Sequence, residues 1–358
     1  MDEKDLLRRA GEDLSERERE VLEAVVRTYV DTAEPAGSRT VSRRFELGVS
    51  PATIRNTMSD LEEKGYLLHP HSSAGRVPTD RAYRYFVDQL IRPARLSESE
   101  RAQIAHELDE VSFSAAERLV RRATRALSVL SLELGVAVAP RMADAVLEKL
   151  DLISVSSEKV LLVATIQSGV IRTIYVDLPG GVPGDTLVTL ALLLNERLAG
   201  LTLGEIRQTL PERLRSARPD DDPAAEEFLN IFMQSGSELF DFRRFDTPEV
   251  HIGQTSVLAS QPEFTTGERL KGLIELTERR DLLAGVLASR EHGSGLKITI
   301  GSENDARALA GFTLVTAEYS AGGLKGVIGV IGPTRMPYEK VMAIVDYTSR
   351  LVTDLLRP

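Results

Sequence analysis

Between Ser50 and Gly65 the chain carries a helix marked at both ends. Ser50 offers a side-chain oxygen to the first unpaired amides, and Pro51 falls at the first helical position, where a missing N–H is harmless. Gly65 can take the left-handed conformation that stops a helix. Ile54, Met58 and Leu61 recur at helical spacing and predict one buried stripe. The opposite face holds Ala52, Asn56, Ser59 and Glu63, with Arg55 at its edge. Small residues allow close approach, and arginine and asparagine can pair bidentately with guanine and adenine. The stretch suits a helix laid in a DNA major groove, with Ser50, Ala52, Thr53, Arg55, Asn56 and Ser59 as the expected base-reading set.

The flanks fit such a module. Ser15 and Glu18 make a capping box for a helix over Ser15–Ala33, whose apolar residues are Val21, Leu22, Val25, Val26 and Tyr29. Glu34 to Gly37 breaks the chain, and Ser38 is the expected cap of a short helix from Arg39 to Phe45. A short helix, a turn with glycine and a second helix form a helix-turn-helix pattern. After Gly65, Tyr66 to His69 is a short apolar run, Pro70 to Gly75 is turn-forming, and Arg76-Val77-Pro78 resumes the strand. This predicts a β-hairpin, the wing of a winged helix. Thr79 then caps a helix with Tyr83, Phe86, Val87, Leu90 and Ile91 inside.

Charge agrees with this placement. Residues 36–95 hold ten Lys/Arg against six Asp/Glu, whereas the whole chain carries −10. A locally basic module on an acidic protein can bind phosphate while the bulk repels it. The expected phosphate and wing contacts are Arg39, Arg43, Arg44, His71, Ser72, Ser73, Arg76, Arg81 and Arg84. Any single arginine among them is as readily a solvated surface charge. The expectation rests on the assembly.

Composition excludes other classes. With no cysteine in 358 residues, disulfides, Cys-ligated zinc and iron–sulfur clusters are ruled out. No apolar run reaches the roughly 18 residues of a membrane span, and the acidic first residues show no signal peptide, so a cytoplasmic setting is expected. His69 and His71 form an H-x-H without a third ligand nearby, and no metal or cofactor is expected. Gly322, Gly323, Gly326, Gly329 and Gly332 lie in a hairpin pattern without the G-K-[ST] of a phosphate loop. No carboxylate pair or nucleophile–base arrangement stands out, so the chain reads as no enzyme.

The remainder predicts an α+β, multidomain chain. Residues 92–95 form a linker. Ser97, boxed with Glu100, caps a helix to about Glu110, and Ser114 to Leu134 continues in helical pattern. Leu150–Val155, Val160–Ile166 and Val170–Val176 predict an antiparallel meander, followed by a helix over Asp185–Leu198. Leu296–Ile300, Phe312–Tyr319 and Val327–Ile331 are further strands, and a helix near Tyr338–Leu356 closes the chain. The two strand-rich blocks can form one antiparallel sheet. Leu201–Phe264 between them reads as an insertion with a helix over Ala224–Phe242 and β-like pieces at Val250–Ile252 and Ser256–Ala259. Five of the ten phenylalanines fall in residues 228–245. They serve either a docked subdomain core or a self-association surface.

With these residues in view, the chain resembles the HrcA family, the heat-inducible transcription repressors of bacteria. The resemblance is carried by Ser50 to Leu67, by the wing from His69 to Asp80, and by Ile300-Gly-Ser-Glu-Asn304, Ile331-Gly-Pro-Thr-Arg-Met336 and Val345-Asp-Tyr347. It implies a winged helix over 1–92, a discontinuous GAF-like antiparallel-sheet domain over 96–200 and 265–358, and an inserted α/β dimerisation domain over 201–264, with Phe228, Phe232, Leu239 and Phe240 as dimer contacts. It further implies a homodimer on an inverted-repeat operator of chaperone operons, held active by the chaperonin and released under heat stress. The alternative is a winged-helix regulator that senses a small molecule through the GAF-like domain.

Overall fold

The computed structural model describes residues 14–70, 75–108, 116–140, 142–156, 158–167, 171–177, 182–215, 223–239, 250–290, 295–321 and 324–357. The chain is α+β with antiparallel sheets and divides into two compact units. The first comprises Met1–Ala137, His251–Glu318 and Ile328–Leu351, and the second Val138–Val250, Tyr319–Val327 and Val352–Pro358.

The first unit opens with α1 (Glu16–Thr32), α2 (Ser38–Arg44) and α3 (Pro51–Glu63), then the strands β1 (Leu67–Leu68) and β2 (Val77–Pro78) and the short helix α4 (Asp80–Tyr85), which runs into a π-helical turn over Phe86–Leu90. The caps act as their residue types dictate. Glu18 Oε2 accepts from the Ser15 amide at 2.8 Å, and Ser15 Oγ accepts from the Glu18 amide at 3.4 Å. Ser50 Oγ accepts from the Thr53 amide at 3.1 Å. At the other end of α3, Gly65 has φ +77°. The Gly65 amide donates to Glu62 O and the Tyr66 amide to Leu61 O, both at 2.9 Å, the two bonds of a Schellman stop. Ser38 departs from expectation: it is the first residue of α2, and Gly37 holds the cap position without a side-chain bond. Ile54, Met58 and Leu61 are buried as the spacing predicts, joined by Thr57.

The first unit continues with α5 (Glu98–Leu108), boxed by Ser97 and Glu100, and α6 (Ala116–Ser131). The expected helix to Leu134 stops early. Leu132 adopts a left-handed φ of +61°, and β3 (Leu134–Val138) begins, buried along its whole length. β3 lies inside a five-stranded sheet of order β7-β3-β10-β9-β8, formed with β7 (Val250–Ile252), β8 (Leu296–Ile300), β9 (Phe312–Ala321) and β10 (Leu324–Pro333). β8 runs antiparallel to β9, pairing Leu296 with Ala317 and Ile300 with Thr313. The segment expected as a strand at 256–259 is instead helical, within α10 (Thr255–Ala259), and is followed by α11 (Gly267–Glu278) and α12 (Arg280–Ala288). The last helix, α13, spans Tyr338–Leu355.

The meander forms as expected from β4 (Leu147–Ser156), β5 (Lys159–Ile166) and β6 (Ile171–Asp177), but as a sheet of its own. The two strand-rich blocks therefore do not merge. One core in the second unit joins Leu150, Leu162 and Val176 of the meander to Leu190 of α7 (Gly184–Leu198), Leu210 of α8 (Leu203–Arg215) and Phe228 and Phe232 of α9 (Pro223–Leu239). The boundary expected at 200/201 thus falls inside a unit, because the helices on either side of it share that core. Phe228 and Phe232 are fully buried and stacked at 5.9 Å. They are core residues of their own unit, which corrects their expected place on an association surface. The Leu239 side chain and Phe240 lie outside the described residues.

Glu133, between α6 and β3, is the acidic residue most fully withdrawn from water among those described. Gln261 Nε2 donates to its Oε2 at 3.1 Å. A Cβ on Gly332 would come within 2.1 Å of that oxygen, so glycine leaves room for the carboxyl. Burial pushes the Glu133 carboxyl well above the ordinary range, against the opposing hydrogen bond from Gln261 and the charge of Arg335. An unfolded glutamate ionises near about 4.3. Folding is therefore progressively penalised as pH rises from there toward the elevated folded value. Glu133→Gln removes the penalty, and thermal melts should show it more stable than the native chain at pH 7 to 8, with the gap closing toward pH 4.

Candidate nucleic-acid interface

α3 is backed by α1 and α2 and leaves one face bare. Ser50, Ala52, Arg55 and Asn56 are exposed, and Thr53 and Ser59 are half-buried. Arg55 and Asn56 make no side-chain hydrogen bond or ion pair among the described residues, so their donors are open to a ligand. The Ser50 and Thr53 hydroxyls lie 2.9 Å apart, so part of their capacity goes into closing the helix start. The unpaired amides and dipole at that end favour an anion.

The arginines separate into two groups. Arg39 and Arg43 stand exposed on α2, next to α3, with no ionic partner among the described residues. Arg44 is exposed but pairs with Asp31 and lies 5.9 Å from the Phe45 ring centroid. The other three serve the fold. Arg76 pairs with Glu62 at 2.8 Å, and its backbone bridges Ala36 through bonds of 2.8 and 2.9 Å. Arg81 donates to Lys64 O at 2.8 Å and lies 4.5 Å over the Tyr66 ring.

Arg84 is the clearest departure from expectation. Its Nε meets Glu303 Oε1 at 2.7 Å, the other arm of the fork reaches Glu303 Oε2, and the Ile298 carbonyl accepts at 2.8 Å. Burial alone would favour losing the proton, but the Glu303 hydrogen bonds and charge outweigh it and hold the guanidinium charged. Committed to Glu303, Arg84 leaves the set of phosphate contacts. His71, Ser72 and Ser73 lie outside the described residues.

Two residues have roles at this surface beyond those that the sequence assigned them. Thr79 Oγ1 faces the carbonyls of Gly65 at 2.9 Å and Tyr66 at 3.0 Å, in addition to capping α4. At Gly75, a Cβ would meet the Ala36 carbonyl at 2.4 Å, so the hairpin packs backbone to backbone on the segment before α2. The only sequence signal was a glycine at the end of a turn. Among the described residues no group of three metal-ligating side chains occurs, and no helix is long and apolar enough to cross a membrane.

These features define a two-unit α+β protein whose amino-terminal helices present one capped, polar, exposed helix face beside two exposed arginines that have no ionic partner among the described residues. The family model for the HrcA protein C terminal domain matches residues 117–342. The heat-inducible transcription repressor HrcA of Chlorobium phaeobacteroides (strain BS1) is 38% identical over 347 residues, covering 94% of this chain and 96% of that one. The repressor of the same name from Geobacter sulfurreducens is 36% identical over 346 residues, covering 96% and 98%. The chain belongs to the HrcA family. In fold alone, it is similar to a crystal structure of a hypothetical protein, with a TM-score of 0.58 at 21% identity over 96% of this chain and 99% of that one.

Gly75→Ala should lower stability by about 1–3 kcal/mol, the usual cost of forcing a methyl group into a closed contact. Chemical denaturation measures the loss, and protease cleavage should appear within the hairpin before global unfolding.

Proposed function

We propose that this chain is a non-enzymatic transcription repressor that binds duplex DNA as a homodimer, with α3 as the recognition helix of a winged helix formed by the segment up to residue 92. The observation that carries this is the bare face of α3, where Arg55 and Asn56 are exposed and unengaged among the described residues, beside the exposed Arg39 and Arg43. A helix fixed by its apolar stripe and open on a polar face can enter the major groove, where Arg55 and Asn56 read base edges. Arg39, Arg43 and the exposed side of Arg44 hold phosphate and set register.

A twofold dimer presents two such helices to an inverted repeat, with half-sites one helical turn or a multiple apart. Apolar surface for self-association exists in the second unit. Ile153, Leu161 and Tyr175 pair across the three strands of the meander, and Ile153, Ile171 and Tyr175 are exposed. The GAF-like assignment belongs to the sheet of the first unit, and the dimerising role to the second. The relatives are named heat-inducible transcription repressors, which supports repression; release on heating and a chaperonin that maintains activity are further parts of the proposal.

Band-shift titrations against an inverted-repeat operator and a random duplex test this. Asn56→Ala and Arg55→Ala should each cost about 1–3 kcal/mol on the operator and little on random DNA, whereas Arg43→Ala should weaken both and reduce the salt slope by about one. Equal losses on the two duplexes for the α3 variants would assign those residues to phosphate and end their base-reading role.

A further inference from the structure

The Ile300-Gly-Ser-Glu-Asn304 motif has no part in the interface described above, yet it touches the amino-terminal helices directly. Asp80 Oδ2 accepts from the Ser302 amide at 2.8 Å and from Ser302 Oγ at 2.9 Å. One helical turn later, Arg84 forks onto Glu303. Both contacts come from one side of α4. From the same first turn, Thr79 and Arg81 reach the other way, to the carbonyls of Lys64, Gly65 and Tyr66, where α3 ends. The Thr79 amide adds a bond to Tyr66 O at 3.0 Å. A helix of six residues thus joins the 301–304 turn to the carboxyl end of α3.

The turn is built to hold its shape. Asn304 Nδ2 donates to the carbonyls of Gly301, Leu309 and Phe312 at 2.9, 3.1 and 2.8 Å, and its Oδ1 accepts from Thr299 at 2.7 Å. Glu303 Oε2 also accepts from the Ile300 amide at 2.9 Å. Gly301 has φ +52°, and a Cβ there would sit 2.1 Å from Asp80 Oδ2. That glycine therefore provides both the backbone conformation and the space for the Asp80 carboxylate. Side chains that fix a rigid turn to one face of a short helix, and the opposite face of that helix to another element, transmit a displacement between them.

Resting on the repressor reading above, we propose that Asp80, Arg84, Ser302 and Glu303 form a latch through which the 301–304 turn positions α3 for DNA. These are positioning residues and touch no base or phosphate. The latch places a contact from the carboxyl-terminal half of the chain in control of the reading helix, so any event that shifts the turn alters operator affinity without entering the groove.

The test uses full-length Glu303→Ala, Arg84→Ala and Glu303→Gln, with two readouts. Without DNA, hydrogen exchange at the Gly65 and Tyr66 amides should quicken in both alanine variants while the β8–β9 amides keep native protection. With DNA, operator affinity should fall about tenfold, in the range of ordinary coupling between sites, with random-duplex affinity and salt slope unchanged. Glu303→Gln should fall between native and alanine. The Arg84→Ala/Glu303→Ala double variant should lose no more than either single one. Native exchange at Gly65 and Tyr66 in Glu303→Ala, additive losses in the double variant, or equal losses on both duplexes overturns the latch. If the native chain binds neither duplex, the repressor reading fails instead, and the exchange data alone decide the coupling.

Discussion

The Schellman stop at the end of α3 fixes more of the first unit than any other local feature. Gly65 takes a backbone conformation that costs an L-residue roughly 1 kcal/mol or more and turns the chain so that Tyr66 is buried. The Tyr66 ring packs against Tyr85 at 5.7 Å and beneath the Arg81 guanidinium. Its carbonyl accepts from Thr79, and the hairpin register follows, pairing Leu67 with Pro78 and Leu68 with Val77. The exit direction of one helix thereby sets the entry of the next. The Glu18–Lys64 ion pair at 2.7 Å anchors the same corner to α1. With its carboxyl end and apolar face both held, α3 needs no contact on its polar face, and that face stays open.

Local positive charge overstated the free cations of this surface. Ten basic residues in a sixty-residue stretch read as a phosphate-binding patch, but charge density does not reveal whether a guanidinium points outward. Arg76 and Arg84 are neutralised by Glu62 and Glu303, and Arg81 is held by a carbonyl and an aromatic face. Of the arginines expected at the interface, Arg39, Arg43 and Arg55 remain, with the exposed Arg44, and these lie on α2 and α3. The partner of Arg84 lies 219 residues away in the chain, a distance over which no pattern in a single sequence can pair two side chains.

What was legible followed from short-range physics. The capping boxes at Ser15 and Ser97, the stop at Gly65, the stripe of α3 and the meander strands each depend on residues within a turn or a strand of one another. What was hidden depended on burial by distant elements. β3 reads Leu-Gly-Val-Ala-Val, buried on both faces inside its sheet, so it lacks the alternation that marks a half-exposed strand and merged with the helix before it. Gly135 gave no warning either, although a Cβ there would strike Thr124 O at 2.0 Å, and Ser128 Oγ accepts from its amide at 2.8 Å to seat α6 on the strand. The expected 200/201 boundary falls inside the second compact unit for a related reason. Alternation in β4–β6 shows which face is buried, but not that α8 and α9 cover it along with α7. Phe228 and Phe232 of α9 pack into that shared core.

Among the described residues, three guanidinium bridges tie the amino-terminal helices to the rest of the first unit, beside the Asp80–Ser302 contact. They are Arg84 on Glu303, Arg27 on Glu339 with both contacts at 3.0 Å, and Arg335, which pairs with Glu263 and donates to Val30 O at 2.6 Å. Their side chains are partly exposed, so solvent screening keeps the stabilisation from each small. Their stronger effect is geometric. A bidentate guanidinium–carboxylate pair tolerates little rotation, and two such pairs, one on α1 and one on α4, together with the Arg335 bond to the Val30 carbonyl of α1, restrict the seating of those helices. Hydrophobic contact is non-directional and by itself permits sliding. A module that must present α3 at a fixed angle is therefore better held by modest, directional bonds than by a larger apolar seam, and such bonds can be released by a perturbation too weak to unfold the unit.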